Sequence, residues 1–587
     1  MELINLLRQA LQESRLVQSF SGVRSSFGLG RDIAPELEVL AKAYGYCYAA
    51  GLTRRKQVTL LISRDPRPTG EAIAEALQHG FVAGAISRDY ELSLVNLGIM
   101  TTPLAESAVR ALKAQGGVMI TASHNPIEDN GFKFLSGVDD DGPDAAPPGA
   151  LLSAAAMSKV IAAVHQLAQS DGRQWHKHLE MADATAVRAA QNRIDSDAAR
   201  MQAERAYLDS MGKDWGLTPH CLQPLTLGPV LVDPNGGASC GIGARVLEHF
   251  GVKAVEINAE QGFPEHGIDY DGIDPASGRH MLLRVSRAAV RYHCHFGVAF
   301  DYDADRGNLV LPGRDESVII PPQRVATFNV AIVLSRRRWE VKQGIERGKL
   351  AIVASDATSL ATHRVAAAFG ADVFQVETGE INVVSKMHAL RQAGYDVPVG
   401  VEGANGGTIF ESATCRDGLQ VALSAALVES SPELLAEWAE VRRALMGKDA
   451  RHIMEAKNVL AALIDSIPLN SNVMLKLEAP PMPQAEFKRR LEGIFVSVIW
   501  PQLQARFTTY AFQNFEGMQQ VDVRTGDESG AWRILLSAPG RQAFVFVRGS
   551  RTEAGVWRMI IDADDAEDFG ILRPLAEEMF QRAGDEA

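Results

Sequence analysis

The chain has 587 residues, of which 46% are hydrophobic and 22% are charged. This length exceeds what one hydrophobic core usually serves, so several domains are expected, and the composition excludes a fibrous or disordered chain. The formal net charge of −13 argues against nucleic acid or an anionic membrane as the main partner.

The cysteines and the N-terminal segment indicate the cellular compartment in which the protein is expected. Five scattered cysteines without CxxC spacing argue against a disulfide framework or a zinc site and fit a reducing cytoplasm. Residues 1–15 are amphipathic and lack the apolar run of a signal peptide, and no window approaches the length of a membrane span. We therefore expect a cytoplasmic protein.

Apolar, strand-like runs that are each followed by a helical pattern recur along the chain. The pairs are residues 58–62 with 70–77, 230–232 with 241–250, and 350–353 with 359–369. Strand–helix alternation of this kind predicts α/β domains with mainly parallel or mixed sheets.

Shifts in composition divide the chain into four predicted domains. A region of helical composition over residues 157–211 ends before a new strand, and strands return near the C-terminus at residues 543–548 and 557–561. The last domain is therefore expected to be a smaller α+β unit. The predicted domains are residues 1–211, 212–310, 311–470 and 471–587.

The first motif that can carry chemistry is TASHNP at residues 121–126, which follows the apolar run GVMI at residues 117–120. A strand that ends in small and polar residues places the Ser123 hydroxyl at a sheet edge, where α/β proteins tend to bind ligands. The motif NGFK brings the Lys133 ammonium close to this serine in sequence. Taken alone, Ser123 is more often a capping residue in a turn, and that alternative stays open.

Three acidic residues at alternate positions, Asp301, Asp303 and Asp305, follow the apolar run GVAF at residues 297–300. In an extended segment they project to one side, and three converging carboxylates repel one another unless a hard cation lies among them. Oxygen ligands of this kind favour Mg²⁺. Arg306 replaces the glycine that an EF-hand requires at its sixth position, so the remaining alternative is a solvated acidic turn.

A glycine-rich motif, GVEGANGG, lies at residues 400–407. Its glycines allow the backbone to approach a ligand, and Glu402 and Asn405 offer groups that can bind vicinal hydroxyls. Alone, this motif also fits an ordinary glycine-rich turn.

The last motif, RGSRTE at residues 548–553, combines guanidinium and hydroxyl groups with glycine-flanked amides. Together Arg548, Ser550, Arg551 and Thr552 can form a phosphate cradle with forked, charge-assisted hydrogen bonds. A basic hairpin turn is the alternative.

The four motifs, in this order and on separate α/β segments, resemble those of the α-D-phosphohexomutase family, which includes phosphoglucomutases, phosphomannomutases and phosphoglucosamine mutases. Further segments resemble landmarks of the same family, namely SRDPRPTG at residues 63–70, GIMTTP at 98–103, DPNGG at 233–237 and FPEH at 263–266. The resemblance implies an α/β fold of four domains around a central cleft. Three are α/β domains with mixed sheets, and the C-terminal one is a smaller α+β domain.

The resemblance also implies roles for individual residues. Ser123 carries the phosphoryl group, and one phosphoserine oxygen holds Mg²⁺ together with Asp301, Asp303 and Asp305. Arg306 braces the phosphate, while Arg24 and Lys133 act near the transferring group as electrostatic or acid–base helpers. Substrate binding is assigned to His124, Glu402, Asn405, Arg548, Ser550, Arg551 and Thr552.

The activity that the resemblance implies is interconversion of a hexose 1-phosphate and a hexose 6-phosphate through a phosphoserine enzyme and a hexose 1,6-bisphosphate. Glucose and mannose are the expected hexoses, because a glutamate that reads only the 3- and 4-hydroxyls cannot sense the 2-position at which they differ. Mg²⁺ is the expected cofactor and the bisphosphate the expected activator. The phosphosugar is the expected partner, without nucleic acid or membrane, and the protein is expected to be a monomer or a homodimer.

Departures from the family pattern keep alternatives open. Ala404 stands where many relatives have a serine, Gly407 where some bacterial members have a histidine, and Arg551 where a glycine is usual. The alternatives are a phosphoglucosamine or N-acetylglucosamine phosphate mutase and a catalytically inactive sugar-phosphate-binding protein. A phosphatase of the haloacid-dehalogenase type would explain Asp301 and Asp303 but not Ser123.

Overall fold

The structure, a computed structural model, describes residues 2–52, 56–140, 145–265, 273–274, 278–447, 451–480, 482–521, 530–550 and 555–585. The chain divides into two compact units. The first unit is Met1–Ile319 with Ser412–Ala426, and the second is Ile320–Glu411 with Leu427–Ala587. Both units contain sheets and helices, which confirms the predicted α/β class.

A six-stranded mixed sheet forms the N-terminal part of the first unit. Its strands are β1 (Val17–Ser19), β2 (Gly22–Ser26), β3 (Gln57–Arg64), β4 (Glu91–Ile99), β5 (Gly116–Ile120) and β6 (Asp129–Ser136). Their order is β1-β2-β6-β5-β3-β4, with β3 parallel to β4 and β5, and β6 antiparallel to β5 and β2. Every residue of β5 is buried, as expected for a central strand of continuous apolar sequence.

The helices around this sheet include those predicted from the sequence. They are α1 (Glu2–Leu11), α2 (Pro35–Gly51), α3 (Gly70–Arg88), α4 (Thr102–Ala111), α5 (Ala154–Gln169), α6 (Arg173–Met181), α7 (Ala184–Gln191) and α8 (Ser196–Trp215). The strand and helix predicted at residues 58–62 and 70–77 are thus confirmed in β3 and α3. The predicted helical region is confirmed in α5 to α8.

The start of α4 follows from two local features. The side chain of Thr101 caps the helix by accepting a hydrogen bond from the backbone N–H of Leu104 at 3.4 Å, and Pro103 occupies the first turn, where its missing N–H costs nothing. This start fixes Thr102 at the end of the helix that faces the acidic turn described below.

A second sheet of the first unit has four strands. They are β7 (Val230–Asp233), β8 (Ala254–Glu256), β11 (Phe296–Phe300) and β12 (Gly307–Val310), in the order β12-β11-β7-β8. A short pair, β9 (Ile273–Asp274) and β10 (Arg279–His280), and the helices α9 (Ile242–His249) and α10 (Leu282–Arg291) complete this part. The chain returns to the first unit at Ser412, and α14 (Gly418–Leu427) follows, with its last residue assigned to the second unit.

The second unit also has two main sheets. The first, a mixed sheet, has β13 (Lys349–Ser355), β14 (Asp372–Val376), β15 (Tyr395–Asp396), β16 (Val399–Glu402) and β17 (Gly407–Phe410), and lies with α11 (Pro322–Lys342), α12 (Leu360–Ala368), α13 (Glu380–Gln392), α15 (Pro432–Met446) and α16 (Val459–Ser466). Its order is β14-β13-β16-β17, with β15 paired to β13.

The second sheet of this unit is antiparallel throughout, with the order β18-β24-β23-β22-β19. Its strands are β18 (Ser471–Glu478), β19 (Thr509–Phe512), β22 (Trp532–Ala538), β23 (Arg541–Gly549) and β24 (Val556–Ala563). A short pair, β20 (Asn514–Glu516) and β21 (Gln519–Val521), and the helices α17 (Gln484–Ile494), α18 (Trp500–Leu503) and α19 (Ala566–Asp585) accompany it. The C-terminal region is therefore α+β, as predicted. The four domain boundaries stay predictions.

Among the described residues, every helix is too short or too polar to cross a lipid bilayer.

Candidate active site

The serine motif forms the loop between β5 and β6. The chain turns at Ser123, whose φ of +51° lies in the left-handed region, and the side chain is only 4% exposed. A residue other than glycine is uncommon in this conformation, and it persists only where its surroundings hold it. Ser123 is therefore a constrained residue and not a solvated turn residue.

Arg67 supplies much of that constraint. Its two terminal nitrogens donate to four carbonyl oxygens of the serine loop, those of Ser123, Asn125, Pro126 and Asp129, at 2.6, 2.8, 2.5 and 2.8 Å. Its Nε pairs with Asp65 Oδ2 at 3.2 Å, and both side chains are buried. Sequence reasoning placed both residues in a family landmark but assigned them no role. The structure shows that they hold the loop.

The three aspartates lie in a turn between β11 and β12. These strands pair antiparallel, with Phe300 opposite Gly307, so residues 301–306 reverse the chain, and Ala304 adopts a φ of +59°. The prediction of an extended segment was therefore wrong. It is the turn that brings oxygens of all three buried carboxylates within 4.8 Å of one another.

Each aspartate contacts a different basic side chain. Arg306 Nε donates to Asp301 Oδ2 at 3.0 Å, and Lys133 Nζ donates to Asp303 Oδ2 at 3.3 Å. Asp303 Oδ2 also accepts a hydrogen bond from the Thr102 hydroxyl at 2.8 Å.

The third basic side chain is Arg416, whose Nη2 donates to Asp305 Oδ2. Sequence reasoning missed Arg416. No local motif marks it, and the residue it contacts lies 111 positions away in the chain.

The serine loop meets this acidic turn directly. The Ser123 hydroxyl donates to Asp301 Oδ2 at 3.0 Å, although the two residues are 178 positions apart in sequence. His124 Nδ1 lies 3.4 Å from the same hydroxyl. A hydroxyl that can act as nucleophile thus shares one buried cluster with three carboxylates, His124 and a set of basic side chains.

Arg24 belongs to the same cluster. It lies on β2 opposite Gly131 of β6, where a Cβ would come within 2.8 Å of Arg24 Cγ, so only glycine leaves space for this side chain. Burial lowers the pKa of Arg24, and the charges of Asp303 and Asp305 oppose that shift. The guanidinium therefore interacts electrostatically with the acidic turn.

The donor set fits a hard divalent cation. Burial and the neighbouring Asp305 charge raise the pKa of Asp301 well above its usual range. Burial acts the same way on Asp305, but Arg416, Lys133 and Arg306 overcome it and lower the pKa of Asp305 to about 2. Oδ1 of Asp303 and Oδ1 of Asp305 are buried and accept no hydrogen bond. Buried carboxylate oxygens without donors, grouped in this way, match the oxygen ligands that Mg²⁺ takes.

The sugar-loop residues lie in the second unit. Glu402 ends β16, is buried, and accepts a hydrogen bond from the backbone N–H of Gly379 at 2.9 Å. Asn405 Oδ1 accepts one from the backbone N–H of Gly407 at 2.9 Å, within a turn where Gly406 has a φ of +71°. The side-chain amide oxygen of Asn405 therefore stabilises the loop to which this residue belongs.

Arg548 is the described basic residue of the predicted phosphate cradle. It lies near the end of β23, with Nη2 3.6 Å from Glu377 Oε1. Ser550 follows the strand, and its backbone N–H donates to the carbonyl of Val556 at 2.7 Å. Arg551 and Thr552 lie outside the described residues, so the cradle stays a prediction.

Acidic groups surround the segment next to Arg548. Asp356 Oδ1 accepts a hydrogen bond from the backbone N–H of Thr378 at 2.8 Å, and Glu402 holds the next amide of the same segment. Burial raises the pKa of Asp356 to about 6, opposed by its hydrogen bond from Thr378 and by Arg548. The carboxylates of Asp356 and Glu402 thus lie beside residues 377–379, and Glu377 adds a third within the segment.

Two parts of the chain match family models. Residues 18–147 match the model described as phosphoglucomutase/phosphomannomutase, alpha/beta/alpha domain I, and residues 329–443 match the corresponding domain III. The first match contains the Ser123 loop, and the second contains the Glu402 loop.

The relatives found by sequence include phosphoglucosamine mutases. The enzyme of Thiobacillus denitrificans is 27% identical over 352 residues, which are 58% of this chain and 64% of that enzyme. The enzyme of an Arthrobacter species is 26% identical over 456 residues, which are 73% of this chain and 85% of that enzyme.

Solved structures share the fold over nearly the whole chain. A phosphoglucomutase/phosphomannomutase family protein of Burkholderia thailandensis superposes with a TM-score of 0.62 at 17% identity, covering 97% of each chain. Parafusin, a phosphoglucomutase of Paramecium, superposes with a TM-score of 0.61 at 15% identity, covering 96% of this chain and 94% of its own.

We expect Arg67→Met to destabilise the protein by about 3–5 kcal/mol, because it leaves the buried Asp65 charge unpaired and removes the donors of four loop carbonyls. Urea denaturation followed by tryptophan fluorescence measures this change. Arg64→Met is the matched control, since Arg64 pairs only at 3.9 Å with a glutamate whose side chain is 72% exposed. Equal stability of the two variants would contradict the role of Arg67.

Proposed function

Because this chain belongs to the α-D-phosphohexomutase superfamily, we propose that it interconverts a hexose 1-phosphate and a hexose 6-phosphate through a phosphoserine at residue 123. The observation that carries the proposal is the hydrogen bond of 3.0 Å between the Ser123 hydroxyl and Asp301, inside a cluster of carboxylates and basic side chains. Phosphoryl transfer is catalysed mainly by positioning and charge stabilisation, and this cluster supplies both.

The reaction proposed has two transfers. The phosphoryl group leaves Ser123 Oγ for the free hydroxyl of the hexose monophosphate, so the Oγ–P bond breaks, a sugar O–P bond forms and the proton of the sugar hydroxyl ends on Ser123 Oγ. The resulting hexose 1,6-bisphosphate reorients end over end in the site. It then returns its other phosphoryl group to Ser123. A bisphosphate taken up from solution acts as activator, since it phosphorylates an enzyme that has lost its phosphate.

The residues of the first unit have separate roles in the proposed reaction. Arg306 braces the phosphate, and Lys133 and Arg24 stabilise the developing charge or move the proton of the sugar hydroxyl. Asp301, Asp303 and Asp305 would hold Mg²⁺, which supplies neutralisation of the phosphate charge. Burial of Ser123 to 4% exposure keeps water from the phosphoserine.

For the sugar, we propose glucosamine phosphate as the first candidate, ahead of the glucose and mannose phosphates expected from the sequence. Both sequence relatives described above are phosphoglucosamine mutases. The carboxylates of Asp356, Glu377 and Glu402 at residues 377–379 favour the same choice, because several acidic groups close together favour a sugar that carries an ammonium group. Glucose and mannose share the 3- and 4-hydroxyls and are the second candidates.

For the phosphate that is not being transferred, we propose binding by Arg548, Ser550, Arg551 and Thr552. Arg548 is supported by its half-buried position beside Glu377, which holds a guanidinium in one place before a phosphate arrives. A cytoplasmic location and a monomeric or homodimeric state remain predictions.

Ser123→Ala is expected to lower mutase activity by at least about 1,000-fold, since the nucleophile is lost. The buried Ser107 of α4 provides the control, and Ser107→Ala should retain activity.

Phosphopeptide mapping after incubation with glucose 1,6-bisphosphate should find phosphate on Ser123 in the wild type. Phosphate on Asp301 instead would replace the mutase proposal with the phosphatase alternative, and a chain that binds sugar phosphates without isomerising them would be the inactive alternative.

The sugar preference is measured as kcat/KM for the 1-phosphates of glucosamine, glucose, mannose and N-acetylglucosamine. Glucosamine 1-phosphate should react best, with glucose and mannose within about two orders of magnitude, the range that one modest contact can produce. Glu377→Gln should lower the ratio of glucosamine to glucose activity by about tenfold, because it removes one negative charge. An unchanged ratio would show that these carboxylates do not select the sugar.

Arg548→Ala should reduce kcat/KM at least tenfold, because binding energy from a phosphate remote from the reacting atoms lowers the barrier as well as KM. The variant should still accept phosphate on Ser123 from a bisphosphate. Arg541→Ala at the opposite end of β23 is the control, since Arg541 pairs with Asp568 at 3.2 Å. If changing both Arg548 and Arg551 to alanine leaves the kinetics unchanged, the phosphate is bound elsewhere.

A further inference from the structure

Residues 412–418, which we term the return segment, pack directly against the acidic turn. The backbone N–H of Gly418 lies 3.3 Å from the carbonyl of Ala304. A Cβ on Gly418 would come within 2.6 Å of the Arg306 backbone, and a Cβ on Gly307 within 2.8 Å of the Gly418 carbonyl. Two glycines therefore allow a backbone contact that leaves no space for a side chain.

Two helices of the first unit anchor the beginning of the return segment. Asp214 of α8 accepts hydrogen bonds from Ser412, from its backbone N–H at 3.2 Å and its hydroxyl at 2.6 Å. Arg110 of α4 donates to the Ser412 carbonyl at 3.0 Å and to the Thr414 hydroxyl at 2.6 Å. The segment thus has fixed contacts ahead of Arg416.

The end of the return segment is held through Asp417. The buried Tyr207 hydroxyl of α8 lies 2.9 Å from both carboxylate oxygens of Asp417, and the backbone N–H of Gln420 donates to the same carboxylate at 3.0 Å. Arg416 therefore stands between anchored neighbours, and a residue held on both sides can present its side chain in one orientation.

Arg416 completes a pattern among the three aspartates. In each, Oδ2 contacts its own basic group: Arg306 for Asp301, Lys133 for Asp303, and Arg416 for Asp305. In Asp303 and Asp305 the other oxygen, Oδ1, is buried and accepts no hydrogen bond. The basic side chains thus hydrogen-bond to one oxygen of each carboxylate and leave the Oδ1 atoms of these two without a hydrogen bond, with Arg306 Nε 3.9 Å from Asp305 Oδ1. These two oxygens can therefore bind a cation.

We propose that Arg416 is a positioning residue of the cation site. By holding Asp305 Oδ2, Arg416 keeps Asp305 Oδ1 available to the cation. Tyr207 and Asp417 fix the backbone next to Arg416 and so keep its side chain in place. The inference rests on the proposed function, in which the aspartates bind Mg²⁺ for phosphoryl transfer. Partners that orient a metal ligand commonly contribute about 10- to 100-fold to metal affinity. The helix α8 is then part of the support of the cation site.

Calorimetric titration of MgCl₂ into the chelator-treated, dephosphorylated full chain tests this proposal. Arg416→Ala should raise the Kd for Mg²⁺ about tenfold, and Arg416→Lys, which keeps a donor and a charge, should raise it less than about threefold. Arg245→Ala is the control, because the side chain of Arg245 is 56% exposed and pairs with Glu204 at 3.6 Å, and the Kd of this variant should equal that of the wild type.

A second variant covers the case in which Arg416→Ala fails to fold. Tyr207→Phe removes one hydroxyl and keeps the ring, so the fold should persist while the Kd for Mg²⁺ rises about threefold. In activity assays, both variants should need more Mg²⁺ for half-maximal rate and recover at saturating Mg²⁺, which a general loss of stability would not produce.

Two results would overturn the inference. Mg²⁺ binding by Arg416→Ala as tight as in the wild type would mean that Arg416 does not support the cation site, and tighter binding would mean that its charge only repels the cation. A wild type that binds no Mg²⁺ would overturn the metal assignment together with this inference. A wild type that binds Mg²⁺ but isomerises no hexose phosphate, with weakened binding in Arg416→Ala, would overturn the proposed reaction and support the role of Arg416.

Discussion

The first unit depends on one electrostatic constraint, the placement of three carboxylates within 4.8 Å of one another in a buried turn. Such a concentration of negative charge is costly in a protein interior unless cations offset it. Basic side chains reach the turn from separate parts of the unit: Lys133 from β6, Arg306 from the turn itself, and Arg416 from the return segment. The surrounding sheets and helices hold these charges close enough to balance the aspartates and still leave carboxylate oxygens for a divalent cation.

The loop of Ser123, the proposed nucleophile, depends on a second arrangement, in which hydrogen bonds to main-chain carbonyls provide the rigidity. Ser123 adopts a left-handed backbone conformation, and Arg67 fixes the loop by donating to its main-chain carbonyls. Donors aimed at carbonyls hold the backbone whatever the neighbouring side chains are, so the hydroxyl stays aligned on Asp301. A preorganised nucleophile reduces the entropy that must be lost when the substrate reaches its reactive position.

Charge is used differently in the second unit. Asp356 and Glu402 accept hydrogen bonds from successive backbone amides of residues 377–379, so these carboxylates order a loop. Glu377 lies beside Arg548, so a guanidinium group lies next to these acidic residues. In the proposed function, the arginine binds phosphate and the carboxylates favour a sugar with an ammonium group.

The sequence by itself determined the α/β class, the positions of strands such as β3 and β5, and the identity of Ser123, Lys133 and the three aspartates. Each of these is encoded locally, as an apolar run followed by polar residues within a few positions. The convergence of the aspartates was predicted for the wrong reason, because alternation along a strand cannot show where the chain turns. Only the tertiary structure revealed Arg67 as the support of the serine loop and Arg416 as the partner of Asp305. Ser123 lies 56 positions from Arg67 in the chain, and Asp305 lies 111 positions from Arg416. Contacts between residues so distant in sequence leave no local pattern, and the packing of strands and helices alone decides them.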